Sequence, residues 1–289
     1  MPNNEERHQA AQRKLAEQLE ARARTSKQRT RLAVIAAAIV VIGAIVAVSV
    51  FVFGSGEKNT SAAPASTQPA PTALTRGGAG QLPAFKAATD LGVNCQYPAA
   101  APASKKVDPP KSGKVPTEPA TVSASMSTDQ GNIGLMLNNG EAPCTVNSFA
   151  SLAQKDFFKN TTCHRLTTSP ELAVLQCGDP TGTGSGGPGY QFANEYPTNQ
   201  YPAGDPALQK PVLYPRGTLA MANAGAGTNG SQFFLVYRDS QLPPNYTVFG
   251  TIDATGLATL DKIAKSGVAG GGQDGKPATP VTIKSILLD

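Results

Sequence analysis

Few side chains in this 289-residue chain could carry covalent chemistry. There are two histidines, His8 and His164, and four cysteines, Cys95, Cys144, Cys163 and Cys177. His8 lies in a basic tail, so a nucleophile–histidine mechanism could use only His164. That residue sits beside Arg165 in a strand-like run, "TCHRLT", and no nucleophile stands out by its spacing. No pair of carboxylates suggests acid–base work, and neither Cys-x-x-Cys nor a Cys/His spacing suggests zinc, so no metal or cofactor is expected. The stretch "GDPTGTGSGGPGY" does contain G-x-G-x-x-G, at Gly182, Gly184 and Gly187. A dinucleotide site needs a helix to open there, and Pro188 follows instead, so the stretch reads as a glycine-rich surface loop.

The more informative stretch is Thr218–Tyr237, "TLAMANAGAGTNGSQFFLVY", which holds no charged residue. It begins and ends like a strand, with Gly, Ala and side-chain amides between. The elements around it have matching patterns. Val122, Ala124 and Met126 alternate inward, as do Ile133, Leu135 and Leu137, and the two runs flank the turn Thr128–Gly131, which predicts a hairpin. After Pro143, Val146, Phe149, Ala150, Ala153 and Phe157 fall on one helical face. A second helix, "LATLDKIAKSG", stops at Gly267. Further strand-like runs are "LAVLQC", "YTVFGTI" and "VTIKSILL". About eight strands and two helices within 120–289 predict a mainly β fold, a closed eight-stranded antiparallel barrel capped by the helices.

Charge divides the chain differently. Of the net +5, residues 1–31 carry eight Lys/Arg against four Glu, while 120–289 carry ten basic against twelve acidic residues. The basic character is outside the expected folded unit, which argues against nucleic acid as a partner. Leu32–Phe53 runs 22 residues without a charge, enough to cross a bilayer as a helix. With the basic residues before it, it reads as an uncleaved signal anchor: residues 1–31 are a cytoplasmic tail, partly a charged helix, and the remainder is extracytoplasmic. A cleaved signal peptide is the alternative, with "SAAPAS" at 61–66 small enough for cleavage. Residues 54–119, rich in Pro, Ala and Ser, read as a disordered linker that Cys95 could pin to the domain. An oxidising exterior predicts two disulfides, in any of three pairings.

Taken in order, "CHRL", "VLQCGDPTGTGSGGPGYQFANE", "GTLAMANAGAGTNGSQFFLVY" and "YTVFGTI" resemble the cyclophilin family of peptidyl-prolyl cis–trans isomerases, over about Val122 to Leu288. The resemblance implies the barrel just described and an activity on proline-containing polypeptides. It implies that Arg165 donates to the prolyl nitrogen, with Gln176 and Gln232 holding the substrate carbonyl and supporting the arginine. Phe234 would floor the proline pocket and Leu242, Val174 and Ala173 would wall it. Ala222, Asn223 and Ala224 would pair with the peptide backbone, Thr228 and Gly184 would line the adjoining groove, and Tyr246 would stand where the family has histidine. Ala173 replaces a phenylalanine common in the family, and Gln241 a tryptophan that contacts cyclic-peptide inhibitors, so a looser pocket and weak cyclosporin binding are expected. The looser pocket leaves a second reading open, a proline-peptide binding module or chaperone with little turnover. The expected clients are envelope or secreted proteins.

Overall fold

In the computed structural model of the chain, residues 80–289 are described. The expected cytoplasmic tail (1–31), membrane span (32–53) and first part of the linker lie outside them. Among the described residues, no helix is long and apolar enough to cross a membrane.

The elements run β1 (Gly80–Gln81), β2 (Val122–Thr128), β3 (Asn132–Leu137), α1 (Pro143–Gln154), β4 (Thr161–Thr162), β5 (Arg165–Thr167), β6 (Val174–Cys177), β7 (Val212–Tyr214), β8 (Thr218–Met221), β9 (Phe233–Val236), β10 (Ser240–Leu242), β11 (Val248–Ile252), α2 (Ala254–Ser266), β12 (Asp274–Gly275) and β13 (Thr282–Leu288). Ten strands form one antiparallel sheet in the order β12-β5-β6-β9-β8-β11-β3-β2-β13-β4. β1, β7 and β10 form a second, small sheet.

The large sheet curls round, and it differs from the expected closed barrel at one seam. β4 and β5 are two pieces of one stretch, broken at Cys163 and His164. β4 pairs with β13, and Cys163 N–H still donates to Val281 O at 2.8 Å. Arg165 is already registered with Gln176 on β6. The stretch thus leaves one neighbour before it joins the other, so the covalent chain rather than a ladder joins the two ends. A disulfide from Cys163 to Cys177 lies at this seam, with its Cα atoms 4.0 Å apart.

Strand alternation sorts the apolar side chains into two groups. Inside the curl lie Met126, Ile133, Leu137, Leu166, Leu175, Leu219, Phe233 and Phe249, all buried. Helix α1 closes this space with Phe149, whose ring sits 5.4 Å from Phe233 and 5.2 Å from Phe249. The cap residue of α1, Ala142, has no side chain to bond the first-turn N–H groups. A distant carboxylate does so: Glu195 accepts from Cys144 N at 3.0 Å and Thr145 N at 2.7 Å. Helix α2 packs on β3, is capped by Asp253 accepting from Gly256 N, and ends at Gly267 with φ 75°.

Outside the curl, Val174, Ala220, Phe234 and Val236 form a second apolar group with Val212 and Tyr214. The small sheet thus backs the outer face. The segment Glu195–Pro215 supplies its central strand β7.

Residues 80–119 do not form a free linker. Cys95 is bonded to Cys144, and Tyr97 and Val115 are buried. Tyr97 Oη donates to Cys144 O, and Asn139 Nδ2 donates to Pro116 O and Pro119 O. A segment rich in Pro and Ala, with few large apolar side chains to build a core of its own, is held here by the surface of the domain.

Candidate active site

Backbone register places four residues in one row across four strands. Arg165 on β5 faces Gln176 on β6, Gln176 faces Phe234 on β9, and Phe234 faces Ala220 on β8. Cross-strand neighbours share a face of the sheet, here the outer one. The row opens onto a hollow of about 150 Å³ lined by Arg165, Leu172, Val174, Gln176, Ala222, Asn223, Phe234, Leu242 and Tyr246. Phe234 is its floor, almost wholly buried, with the Tyr246 ring edge-on to it at 5.8 Å. Beneath, Tyr214 is fully buried, 6.5 Å from the Phe234 ring, and its hydroxyl donates to Tyr246 O.

The guanidinium at the rim is held on several sides. Arg165 Nε and Nη2 donate to Asp274 Oδ1 and Oδ2, each at 2.8 Å, and Nη1 donates to Gln176 Oε1 at 3.2 Å. A guanidinium has five N–H groups, so two remain for a ligand. Asp274 raises the arginine's pKa further, and the arginine in turn holds the Asp274 carboxyl below its ordinary range.

Gln176 has its amide oriented by what lies on either side. Its Nε2 donates to Gln232 Oε1 at 2.9 Å, and Gln232 Nε2 donates to Gly184 O and Gly186 O, each at 2.9 Å. Hydrogen bonds thus run from the glycine-rich loop through Gln232 and Gln176 to Arg165. The loop is organised around Asp179, which is fully buried and accepts from Thr181 N, Thr183 N and Gly184 N. Burial pushes its carboxyl up, but those donors outweigh it and the net shift is downward.

A second groove of about 280 Å³ adjoins the first and shares Gln176, Ala222 and Asn223 with it. Gly184, Ala224, Thr228 and Gln232 line it. Ala222 N–H donates to Gln232 O and Ala224 N–H to Thr228 Oγ1, so what these two alanines can offer a peptide is their carbonyls.

One expected pocket residue is elsewhere. Ala173 is fully buried inside the curl, its N–H donating to Ser240 Oγ. Alternation explains this: Val174 faces outward, so Ala173 faces inward and Leu172 outward again. Leu172 is the wall residue in its place, legible by stepping two positions back from Val174. The pocket is therefore not loosened by Ala173. Asp274 and Tyr214 were not legible, since nothing in their spacing connects them to Arg165 or Phe234. His164 is not part of the hollow; both its ring nitrogens are buried without a hydrogen-bond partner, and desolvation lowers its pKa.

The arrangement has an apolar hollow, an adjoining uncharged groove and a fixed cation with spare donors, and it presents no nucleophile. It suits binding and electrostatic stabilisation rather than bond cleavage.

Comparison with known proteins agrees. A family model described as cyclophilin type peptidyl-prolyl cis-trans isomerase/CLD matches residues 123–287. A probable peptidyl-prolyl cis-trans isomerase B of Mycobacterium tuberculosis is 74% identical over 209 residues, which is 72% of this chain and 68% of the relative. The corresponding protein of Mycobacterium leprae is 73% identical over 209 residues, covering 72% of this chain and 71% of its own length. A solved cyclophilin type isomerase from Cryptosporidium parvum covers 58% of this chain and 98% of its own, with 29% identity and a TM-score of 0.47. The chain belongs to the cyclophilin-type peptidyl-prolyl cis–trans isomerases.

Proposed function

We propose that this isomerase is tethered to a membrane and turns X–Pro bonds in envelope or secreted polypeptides outside the cytoplasm. The observation that carries the catalytic part is a guanidinium fixed by Asp274 and Gln176 at the rim of a hollow floored by Phe234.

An X–Pro bond is held planar by resonance, with a barrier of roughly 18–20 kcal/mol, and relaxes unaided over tens of seconds or more. Twisting the bond takes the nitrogen lone pair out of conjugation, and the nitrogen becomes a hydrogen-bond acceptor. A donor aimed at that lone pair therefore stabilises the twisted state more than the planar one. Arg165 has two N–H groups left for this, and Asp274 and Gln176 hold it so that little reorganisation is needed. Phe234, Leu242, Val174 and Leu172 grip the proline ring. Gln176 keeps one amide N–H for the carbonyl that precedes it, with Gln232, whose own N–H groups go to Gly184 O and Gly186 O, holding the Gln176 amide in place, while Ala222, Asn223 and Ala224 hold the flanking backbone. No bond is made or broken, and no proton need move.

The site outside the cytoplasm is supported by the two disulfides, Cys95–Cys144 and Cys163–Cys177, which persist in an oxidising compartment. It is supported further by the apolar run 32–53 with basic residues before it. A C-terminal fusion to a reporter active only when exported tests the placement. Activity of the fusion agrees with it, and activity of a cytoplasm-only reporter instead contradicts it. Cyclosporin should bind weakly, because Gln241 offers no indole where the family contacts cyclic-peptide inhibitors. Calorimetry that returned a nanomolar dissociation constant would refute this.

A further inference from the structure

The groove beside the proline hollow has a wall that does not come from the region matched by the family model. Ala100, Ala101 and Pro102 line it, and they lie upstream of the matched residues 123–287. We propose that this upstream strap is part of the substrate site: it walls the groove that receives the polypeptide preceding the proline, and so selects uncharged side chains there. The proposal rests on the reading of the two adjoining hollows as one peptide-binding site.

The strap is built onto the glycine-rich loop. Ala100 N–H donates to Gly189 O at 2.9 Å, Gln191 N–H to Pro98 O at 3.0 Å, and Ser104 N–H to Gly187 O at 2.9 Å. Gly187 N–H returns a bond to Ser104 Oγ at 3.1 Å. The loop glycines permit this approach. A Cβ at Gly189, where φ is 88°, would lie 2.9 Å from Ala103 Cβ, and one at Gly186 would lie 2.7 Å from Ser104 Oγ. Upstream, the Cys95–Cys144 disulfide fixes the start of the strap. Strap and loop are thus fitted to each other over several residues.

The strap extends the site without filling it. None of its residues lines the hollow floored by Phe234, so Ala101–Pro102 does not sit as a substrate in its own active site. The two hollows adjoin and share Gln176, Ala222 and Asn223 as lining. A peptide whose proline occupies the first must run its preceding residues along or past the second. No charged residue lines that groove. A Lys or Glu side chain entering it would lose water and gain no counter-charge, whereas an apolar or small polar one would bury surface.

The test uses the full chain in detergent and proline peptides that vary only in the residue one or two places before the proline: Ala, Leu, Lys or Glu. Wild type should prefer Ala and Leu to both charged peptides. Ala101→Asp should raise the Lys-to-Glu ratio of kcat/KM about threefold or more, and Ala101→Lys should lower it by a similar factor, the scale expected of partly exposed charge pairs. The same ratio in wild type and both variants would overturn the proposal. Should either variant misfold, alanine methyl NMR of the wild type decides. On titration with the Leu peptide, Ala101 should shift along the same saturation curve as Ala222. Movement of Ala222 without Ala101 would overturn the strap's role alone, and an unmoved Ala222 would overturn the peptide site beneath it.

Discussion

Asp274 is the residue whose loss separates positioning from binding most cleanly. It takes two of the three intramolecular bonds of the Arg165 guanidinium. In Asp274→Ala, the arginine is left with one bond of 3.2 Å to Gln176. The pair adds little to stability, because the two side chains are 39% and 55% exposed, and exposed pairs contribute about 0–1 kcal/mol. At 2–4 °C per kcal/mol for a domain of this size, the melting temperature should fall by no more than about 4 °C. The effect on rate is larger. A free arginine side chain carries about 2 kcal/mol of rotamer entropy. If half to two thirds of that must be removed again in the twisted state, the barrier rises by about 1–1.4 kcal/mol, a five- to tenfold fall in kcat. KM should stay near its wild-type value, since Phe234 and the walls of the hollow are untouched. A protease-coupled or exchange-NMR assay on an Ala-Pro peptide reads both. An unchanged kcat, or a loss entirely in KM, would show that Asp274 does not position the guanidinium.

Other consequences follow from the same structure. Ala173→Phe should not restore a tighter proline pocket: it forces a ring into a filled core and should destabilise the domain by about 1–3 kcal/mol in denaturant unfolding, without lowering KM. Glu195→Ala leaves the first-turn N–H groups of α1 unpaired in a buried place and should cost about 2–3 kcal/mol, with kcat on the remaining folded protein little changed. The rate itself should not step between pH 8 and 5, because Asp274 is held below its ordinary range by Arg165; that contribution is present above about pH 4 and is lost only as pH falls through the lowered value. Stability should behave otherwise. The ring nitrogens of the half-buried His164 are shielded from water and its pKa is lowered by desolvation, so its contribution to stability is full above about pH 6.5 and declines below it, and His164→Gln should flatten that decline in a thermal-melt series.

Much of this fold was legible because its strands alternate. The hairpin of β2 and β3 and the two amphipathic helices follow from spacing; once the resemblance sets Phe234 outward, alternation sends Phe233 inward. β1, β7, β10 and β12 have two or three residues each, too short to show a period, so the small sheet and the strand that carries Asp274 were invisible. Asp274 lies 109 residues from Arg165, and only the β5–β12 pairing brings them together. The strap reads as part of a linker because it is rich in Pro and small residues and holds few large apolar side chains. It is held by a disulfide and backbone bonds to a glycine-rich loop, and composition does not register such bonds. The Ala173 error was one of face: aligning a run by similarity overlooked that a one-residue step in a strand exchanges core for surface.

The central claim is that a fixed guanidinium stabilises the twisted prolyl bond. Its most direct test is the turnover of Arg165→Ala beside wild type, with peptide affinity and melting temperature measured on the same samples. The account predicts a fall in kcat of about a hundredfold or more, the scale of losing one aimed donor, with affinity changed only a few-fold and the fold intact. Turnover within about threefold of wild type would contradict it.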